Sequence, residues 1–422
     1  MALRSPSRER RGVLVVAAIH LALTLFLAAR LNLWRDEVYS LHTTSGGLRL
    51  AWLRALNFEM QPPFYFVALR VWRLAGGGIF FARVLSVLCA FLAVYSILPL
   101  ARRFLPGLPA ACIAAAFAFH PLTIASAVEI RLYAFALLLS SGLLVTFFDG
   151  YLKEPEERWA RRAHAVLGLV ALYTQYYLGF LLAAGAVSLL VVRKWRSLRH
   201  YLFHMLGVGL AFAPMGLIIP SQVTNHTGTV RVPLSLKYTA RLIAWRIHAF
   251  VLPDAWAPEI LSWAVFLSFG VALALGLVLL FRRGVSSRVL ATWSLAATVA
   301  VLFSCVLRVT GEELFEPRHS AALFLPVILV VWGVADAAGR KVALALTVLS
   351  VTFAAFSLAY AYRALAKDGD VERVARYLQE RERPGEPIVV FPSENAAVLG
   401  YYYRGPNAIV PVPWRPDPER FD

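Results

Sequence analysis

The sequence predicts an all-α polytopic membrane protein of about eleven transmembrane helices, with a small α/β appendage at its C-terminal end. Three observations predict it. Hydrophobic residues make up 59% of the 422 residues and charged residues only 16%, against about a quarter in ordinary soluble domains. Apolar stretches recur along most of the chain, at roughly the twenty residues needed to cross a hydrocarbon core of about 30 Å. The basic residues behind the formal net charge of +17 fall in short clusters between those stretches, as the positive-inside rule expects. They form no single basic face with interleaved aromatics, which argues against nucleic acid as a partner.

The candidate spans are 12–31, 81–101, 109–128, 132–150, 164–176, 177–192, 201–220, 259–281, 288–308, 319–338 and 341–361. The first follows MALRSPSRERRG, is too long for a signal peptide and lacks a small-residue cleavage site, so it reads as a retained span with a cytoplasmic N-terminus. The stretch 62–76, QPPFYFVALRVWRLA, is helical in pattern but short and carries Arg70 and Arg73. If it crossed, Arg102 and Arg103 would fall outside, so it reads as a juxtamembrane helix begun at Pro62-Pro63. Spans 164–176 and 177–192 meet at Tyr173-Thr174-Gln175-Tyr176-Tyr177 as a hairpin, or form one long kinked helix.

The inner segments are then the basic N-terminus, Arg102-Arg103, 153–162, 193–199, Arg282-Arg283 and Arg340-Lys341. The outer ones are 32–80, 129–131, 174–177, 221–258, 309–318 and the tail, which puts the C-terminus outside the cytoplasm. Residues 1–362 form the membrane domain and 363–422 the appendage. Within the appendage, DGDVERVARYLQERERPGE reads as an amphipathic helix, EPIVVFP and NAIVPVP as strands, and Ser393 as the cap of a helix between them. The three cysteines, Cys89, Cys112 and Cys305, are widely spaced in apolar stretches and suggest small buried hydrophobes.

This topology brings Asp36, Glu37, Glu59, Gln61, Glu129, Arg131, Gln175, Arg318 and His319 to one side, at the outer ends of spans. Charges in membrane helices cost roughly 2.5–3.5 kcal/mol each at the centre and mark function. A one-sided cluster therefore points to a site facing the outer compartment. The doublet Asp36-Glu37 reads either as a solvated interfacial turn balanced by Arg35 or as a source of one general base. Neighbouring carboxylates point apart, so two roles, or one role and one structural contact, are expected. Arg131 is a candidate phosphate ligand and equally a partner for Glu129. Arg318 is a second phosphate candidate or an interfacial anchor, and His319 beside it suits a structural histidine. No Asp-x-Asp and no His/Asp cluster at metal-ligand spacing occurs, so neither a metal nor another cofactor is expected. In the loop 221–258, the stretch 235–250 reads as an amphipathic helix on the membrane surface, with Arg231, Lys237, Arg241, Arg246, Trp245 and Trp256 nearby as snorkelling groups or donor contacts. Asn225-His226-Thr227 fits a glycosylation sequon.

Several motifs in order carry a family resemblance. Trp34-x-Asp36-Glu37 precedes Gln61-Pro62-Pro63-Phe64-Tyr65 by about twenty-five residues, and Ala82-Arg83-Val84-Leu85-Ser86 follows. His120-Pro121, Glu129-Ile130-Arg131-Leu132-Tyr133, Tyr173-Thr174-Gln175-Tyr176-Tyr177 and Glu316-Pro317-Arg318-His319 come after. Together they resemble the family 39-type membrane glycosyltransferases of the C-type fold, which include protein O-mannosyltransferase relatives and the lipid A aminoarabinose transferase. The resemblance is strongest over 30–190. Many relatives have Leu where Phe64 stands, and His where Gln175 stands; Gln175 cannot titrate, so only a hydrogen-bonding role carries over.

The resemblance implies an enzyme of the cell envelope that moves a sugar from a polyprenyl-phosphate carrier to an extracytoplasmic lipid, glycan or protein acceptor, with inversion. It implies a catalytic part for Asp36, with Glu37 beside it. It places Glu59, Gln61, Tyr65, Glu129, Arg131, Tyr133, Gln175, Tyr176, Arg318 and His319 in substrate binding. The competing reading is a membrane transporter or lipid flippase, which requires midplane polar groups and broken helices in paired halves.

Overall fold

The computed structural model describes residues 6–225, 235–252, 259–310, 317–367 and 369–412. Each of the eleven predicted spans is helical over most of its described length. Helix α1 (Pro6–Arg30) opens with Glu9 in its first turn and closes with Arg30 in its last, the signs that complement a helix dipole. Three short helices fill the loop that follows: α2 (Arg35–Thr43), α3 (Leu48–Asn57) and α4 (Phe64–Trp72). Helix α4 has 9 residues, about 14 Å, so the stretch 62–76 is too short to cross. The Phe64 amide donates to the Tyr173 carbonyl at 2.9 Å, which pins α4 to a neighbouring turn.

Helix α5 (Ile79–Phe104) is a full span. The next predicted span is broken into α6 (Ala110–Ala118) and α7 (Pro121–Ala127), bent by 66°. The cause is local. Pro121 lacks an N–H and forces the residue before it out of the helical region, and His120 accordingly lies at φ −62°, ψ 134°. His120 Nδ1 then accepts the Leu122 amide at 3.1 Å and starts α7 afresh.

Helix α8 (Tyr133–Phe147) ends in a π-helical turn, Phe148–Leu152. Helices α9 (Arg158–Leu172) and α10 (Leu178–Val191) pack on each other, so the segment 164–192 is a hairpin. There follow α11 (Trp195–Gly216), α12 (Ile219–Asn225), α13 (Leu236–Val251), α14 (Glu259–Arg283), α15 (Ser287–Thr310), α16 (Ala321–Ala338) and α17 (Arg340–Ala361).

Among the described residues, seven helices are long and apolar enough to cross a membrane, namely α1, α5, α8, α14, α15, α16 and α17, and the bent pair α6–α7 makes an eighth. Helix α10 is apolar but shorter. The chain is a multi-pass membrane protein. Helices α5, α8 and α16 form its centre; α5 packs on α1, α6 and α8, and α16 on α8, α14, α15 and α17. Trp332 of α16 is buried and donates to Thr347 Oγ1 of α17 at 3.0 Å. The outer faces of α11 and α14 expose Phe203, Leu206, Leu210, Trp263, Leu267, Val271 and Phe281, surface that suits lipid rather than water.

Helix α13 covers most of the stretch expected as an amphipathic helix, 235–250, with Leu236 and Trp245 exposed on one side. It is capped by Ser235 Oγ, which accepts the Tyr238 amide at 3.1 Å, and buries Thr239, Leu242, Arg246 and Phe250 against the body. Arg231, Trp256 and most of the sequon at 225–227 lie outside the described residues.

The C-terminal segment holds α18 (Val371–Arg381), β1 (Ile388–Val390), α19 (Asn395–Tyr402) and β2 (Ile409–Pro411). The strands pair in parallel with Ile388 opposite Ile409, and α19 supplies the crossover that a parallel pair needs. Ser393 does not cap α19. Glu394 is its N-cap residue and makes no side-chain cap bond, because the first amides turn back on the Pro392 and Ser393 carbonyls instead. Several contacts dock this segment on the body, two of them at the end of α1. Asn32 bonds the backbone of Lys367 and Gly369, and the Leu33 amide donates to the Tyr402 hydroxyl at 2.6 Å.

Candidate active site

The doublet Asp36-Glu37 occupies the first turn of α2, where the partial positive charge of a helix N-terminus favours carboxylates. Successive residues on a helix point about 100° apart, and the two acids meet different surroundings. Glu37 turns inward and is fully buried. Arg83 of α5 grips it with two parallel bonds, Nε to Oε1 and Nη2 to Oε2, both 2.8 Å. Lys367 Nζ reaches Oε2 at 2.7 Å, the Ile130 amide reaches Oε1 at 3.1 Å, and the Trp34 amide reaches Oε2 at 3.3 Å. Arg83 spends its remaining N–H groups on the Ala28, Leu31 and Asn32 carbonyls at the end of α1. Burial alone would raise the Glu37 carboxyl, but the charges of Lys367 and Arg83 outweigh it and hold the group below its ordinary value. With no exposed surface and every acceptor direction used, Glu37 has no contact to offer a substrate. Of the two outcomes the sequence left open for the doublet, two roles or one role and one structural contact, these surroundings suit a structural contact for Glu37.

Asp36 faces the other way. Its carboxylate lies 3.2 Å from Arg318 Nη1, 3.9 Å from Arg131 Nη2 and 3.6 Å from Arg35 Nε. Its side chain keeps 13% of its surface exposed. Arg131 also bonds Glu59 Oε2 at 2.6 Å and Ser40 Oγ at 3.1 Å, and Thr43 Oγ1 donates to the other Glu59 oxygen at 3.1 Å. Burial would lower the Arg131 value, yet Glu59, Tyr133 and Asp36 carry it well above the ordinary one, so the guanidinium stays charged. Its buried Nε has no hydrogen-bond partner, and its Nη2 is only loosely held by Asp36. The sequence left Glu129 open as the Arg131 partner; the structure gives that place to Glu59 and Asp36.

Arg318 stands in a single 3-10 turn, Pro317–His319, just ahead of α16. Its guanidinium lies 4.8 Å from the Trp34 ring and 5.7 Å from the Tyr133 ring, inside cation–π range. The Tyr133 hydroxyl is 3.4 Å from His319 Nε2, and the His319 ring also faces Tyr177 at 6.1 Å. Glu129 lies half-buried in the turn between α7 and α8 and makes no hydrogen bond or ion pair among the described residues. Burial pushes its carboxyl up to about 7, with Lys367 and Arg318 pulling against Glu37 and Asp36.

The structure thus gathers Asp36, Glu59, Arg131, Tyr133, Arg318 and His319 into one constellation, with Glu129 within reach of its charges. Tyr65 is buried beneath it in α4. Gln175 and Tyr176 share no side-chain hydrogen bond or ion pair with that constellation among the described residues. The Tyr176 hydroxyl donates to Gln222 Oε1 at 2.7 Å, and Gln222 donates on to the Leu56 carbonyl, a tie between three segments. Gln175 is buried with its side-chain oxygen unpartnered. Gln61 contributes a backbone bond to Ala55. It follows Met60, whose φ of 53° is left-handed, a conformation that costs a residue with a Cβ roughly 1–2 kcal/mol. Sequence reasoning passed over Trp34, Tyr177 and Lys367. The first two sat inside motifs already singled out, while nothing local marks Lys367. Among the described residues no group of three or more His, Cys, Asp or Glu could hold a metal ion.

Comparison with solved structures returns ArnT from Cupriavidus metallidurans. In the apo state it is 17% identical over 96% of this chain and 86% of that one, with a TM-score of 0.46. Bound to undecaprenyl phosphate it is 15% identical over the same shares, with a TM-score of 0.42. No protein-family model and no curated protein sequence matches the chain.

Proposed function

We propose that this protein is a membrane glycosyltransferase of the C-type fold that transfers a sugar from a polyprenyl-phosphate carrier to an extracytoplasmic acceptor, with inversion. The observation that carries the proposal is the clamp of Arg131 and Arg318 on Asp36 at one end of the helical body. A lipid phosphate is already a good leaving group and needs its charge held more than it needs a proton. Arginine suits that task, because its planar fork binds two phosphate oxygens and never loses its charge. Arg131 keeps an unpartnered buried Nε for it. A donor phosphate would compete with Asp36 for both guanidinium groups and free that carboxylate as it docks. Asp36 then takes the proton of the acceptor hydroxyl while its oxygen attacks the anomeric carbon. The bond from that carbon to the phosphate oxygen breaks, its electron pair leaves with the lipid phosphate, and one displacement inverts the centre. In this reading Tyr133 and His319 flank the phosphate, Glu59 sets the pose of Arg131, and Gln61, Gln175 and Tyr176 hold the walls. The site end and the appendage face the extracytoplasmic side, and the basic loops face the cytoplasm.

A second proton acceptor is favoured by one observation: Glu129 is unpaired and sits near 7, where a general base works best. Membranes carrying Asp36→Asn or Glu129→Gln, supplied with a lipid-phosphate sugar donor, separate the two. Asp36→Asn is expected to lower transfer by about 10²–10⁴-fold. Transfer at the unmutated rate would remove Asp36 from the chemistry, and a loss confined to Glu129→Gln would move the base there. The transporter reading requires broken helices in both halves; the described residues contain one bent pair.

A further inference from the structure

Helix α5 links two charged ends of the molecule. Arg83, near its start, anchors the acidic doublet, and Arg102 and Arg103 close its last turn. Twenty residues of helix set these ends about 30 Å apart, one hydrocarbon thickness. At the far end lies a cavity of about 660 Å³ among α5, the π-helical turn after α8, the end of α10 and the start of α15. Five cations line it, Arg102, Arg103, Lys153, Lys194 and Arg288, against two carboxylates, Asp149 and Glu154. Asp149 is spent on Arg103, and Glu154 on Lys194 at 2.7 Å. Arg102 and Lys153 lean on Glu9 and Glu157 outside the cavity.

Arg288 is left over. Its side chain makes no hydrogen bond or ion pair among the described residues, and its guanidinium rests 5.5 Å from the Phe148 ring. It also stands in the first turn of the 24-residue α15, which holds no acidic residue. A cation there faces the positive end of the helix dipole, an unfavourable place that an anion would correct. At the same spot the Val289 amide is capped by Ser286 Oγ at 3.3 Å and the Leu290 amide by the Ser286 carbonyl at 2.9 Å, which leaves the Ser287 and Arg288 amides without a bond among the described residues. Arg102 lines a second hollow of about 380 Å³ with Arg10 and Arg11 of α1, so the positive field extends past one cavity.

We infer that this cavity, at the end of the bundle opposite the Asp36 site, binds the phosphate headgroup of an anionic membrane phospholipid. The chemistry recognised is a phosphate monoanion held by Arg288 and the α15 N-terminus. Phe148, Leu152 and Val192 give the cavity an apolar wall on which acyl chains would continue. Basic pockets between helices near a bilayer surface suit such headgroups. A soluble phosphate would offer the same oxygens but nothing for that wall.

Native mass spectrometry of the full-length protein in detergent, titrated separately with phosphatidylglycerol, phosphatidylcholine and inorganic phosphate, tests it. Phosphatidylglycerol is expected to be retained more tightly than phosphatidylcholine, and Arg288→Ala to weaken that retention about fivefold, the effect of one basic residue at a membrane surface. Arg288→Lys should keep it. Equal retention of the two lipids, or an Arg288→Ala protein that binds phosphatidylglycerol as the unmutated chain does, overturns the proposal. Inorganic phosphate binding as tightly as the lipid also overturns it, since the site would then read a free ion.

Discussion

Two neighbouring carboxylates carry opposite duties here, and single substitutions separate them. Glu37 is an ionised group with no exposure, bound by Arg83 and Lys367. Removing one member of a buried charge network leaves the others uncompensated, at a cost of about 3–5 kcal/mol. Glu37→Ala is therefore expected to lower thermal stability in detergent sharply and to remove folded protein from the membrane, whereas Asp36→Asn should leave both unchanged. Equal melting of the two variants would contradict this division. The pH dependence has a definite sign. The folded Glu37 value lies below the ordinary 4.5, so its contribution is present above that value and is lost as pH falls through the folded one. Glu129 runs the other way. It is neutral below about 7 and charged above, so a rate that depends on its carboxylate rises through that pH, and Glu129→Gln should flatten the rise. A Glu129→Gln enzyme with an unchanged pH–rate profile would assign the titration elsewhere. Asp36, Arg131 and Arg318 were legible in the sequence because charges beside apolar spans stand out. The different surroundings of Glu37 were not legible, because adjacent letters hide the 100° turn between them. Lys367 was invisible because its partner is 330 residues away.

At the scale of elements, the break between α6 and α7 positions much of the site. It directs the short α7 into the turn that carries Glu129, Ile130 and Arg131. His120 fixes the break from both sides, with Nδ1 capping α7 and Nε2 3.0 Å from the Ala249 carbonyl of α13. Pro121→Ala restores the missing N–H and relaxes the constraint on His120. The expected outcome is a protein that keeps its helix content by circular dichroism but loses transfer activity by about tenfold or more, since small misplacements of a positioned group are costly. Full activity would show that the bend is incidental to the site. The sequence exposed the long apolar helices through composition alone. It announced this break only as a His-Pro pair near a span end, because a run of apolar letters does not report its own axis. The strand pair in the C-terminal segment was readable from its IVV and IVP cores, whereas the cap of α19 was not, since backbone carbonyls replaced the expected side chain.

The molecule as a whole has two charged ends joined by apolar helices, and the sign of each end predicts its side. In the proposed orientation, a cysteine at Asn57 in α3 and one at Arg404 after α19 should both react with an impermeant maleimide added from outside, and one at Trp195 should not. Asn57, Arg404 and Trp195 are all exposed. The labelling needs a background without the native thiols, above all the exposed Cys305. Reaction at Trp195 but not at Asn57 would invert the orientation. This scale was the most legible in sequence, because hydropathy and basic clusters act over whole spans. The contacts that close the site were the least, because they join segments that only the assembled bundle brings together.

The ammonium of Lys367 has a consequence in time. A ribosome makes Arg83 and Glu37 early and reaches residue 367 only after the last span, α17, has been threaded into the bilayer. Until then the innermost anion of the doublet holds one of its two cationic partners, and Asn32 lacks the backbone it will grip. The acidic doublet therefore remains incompletely braced through almost all of the chain's insertion, and the arrival of a single late lysine completes the support beside which Asp36 stands.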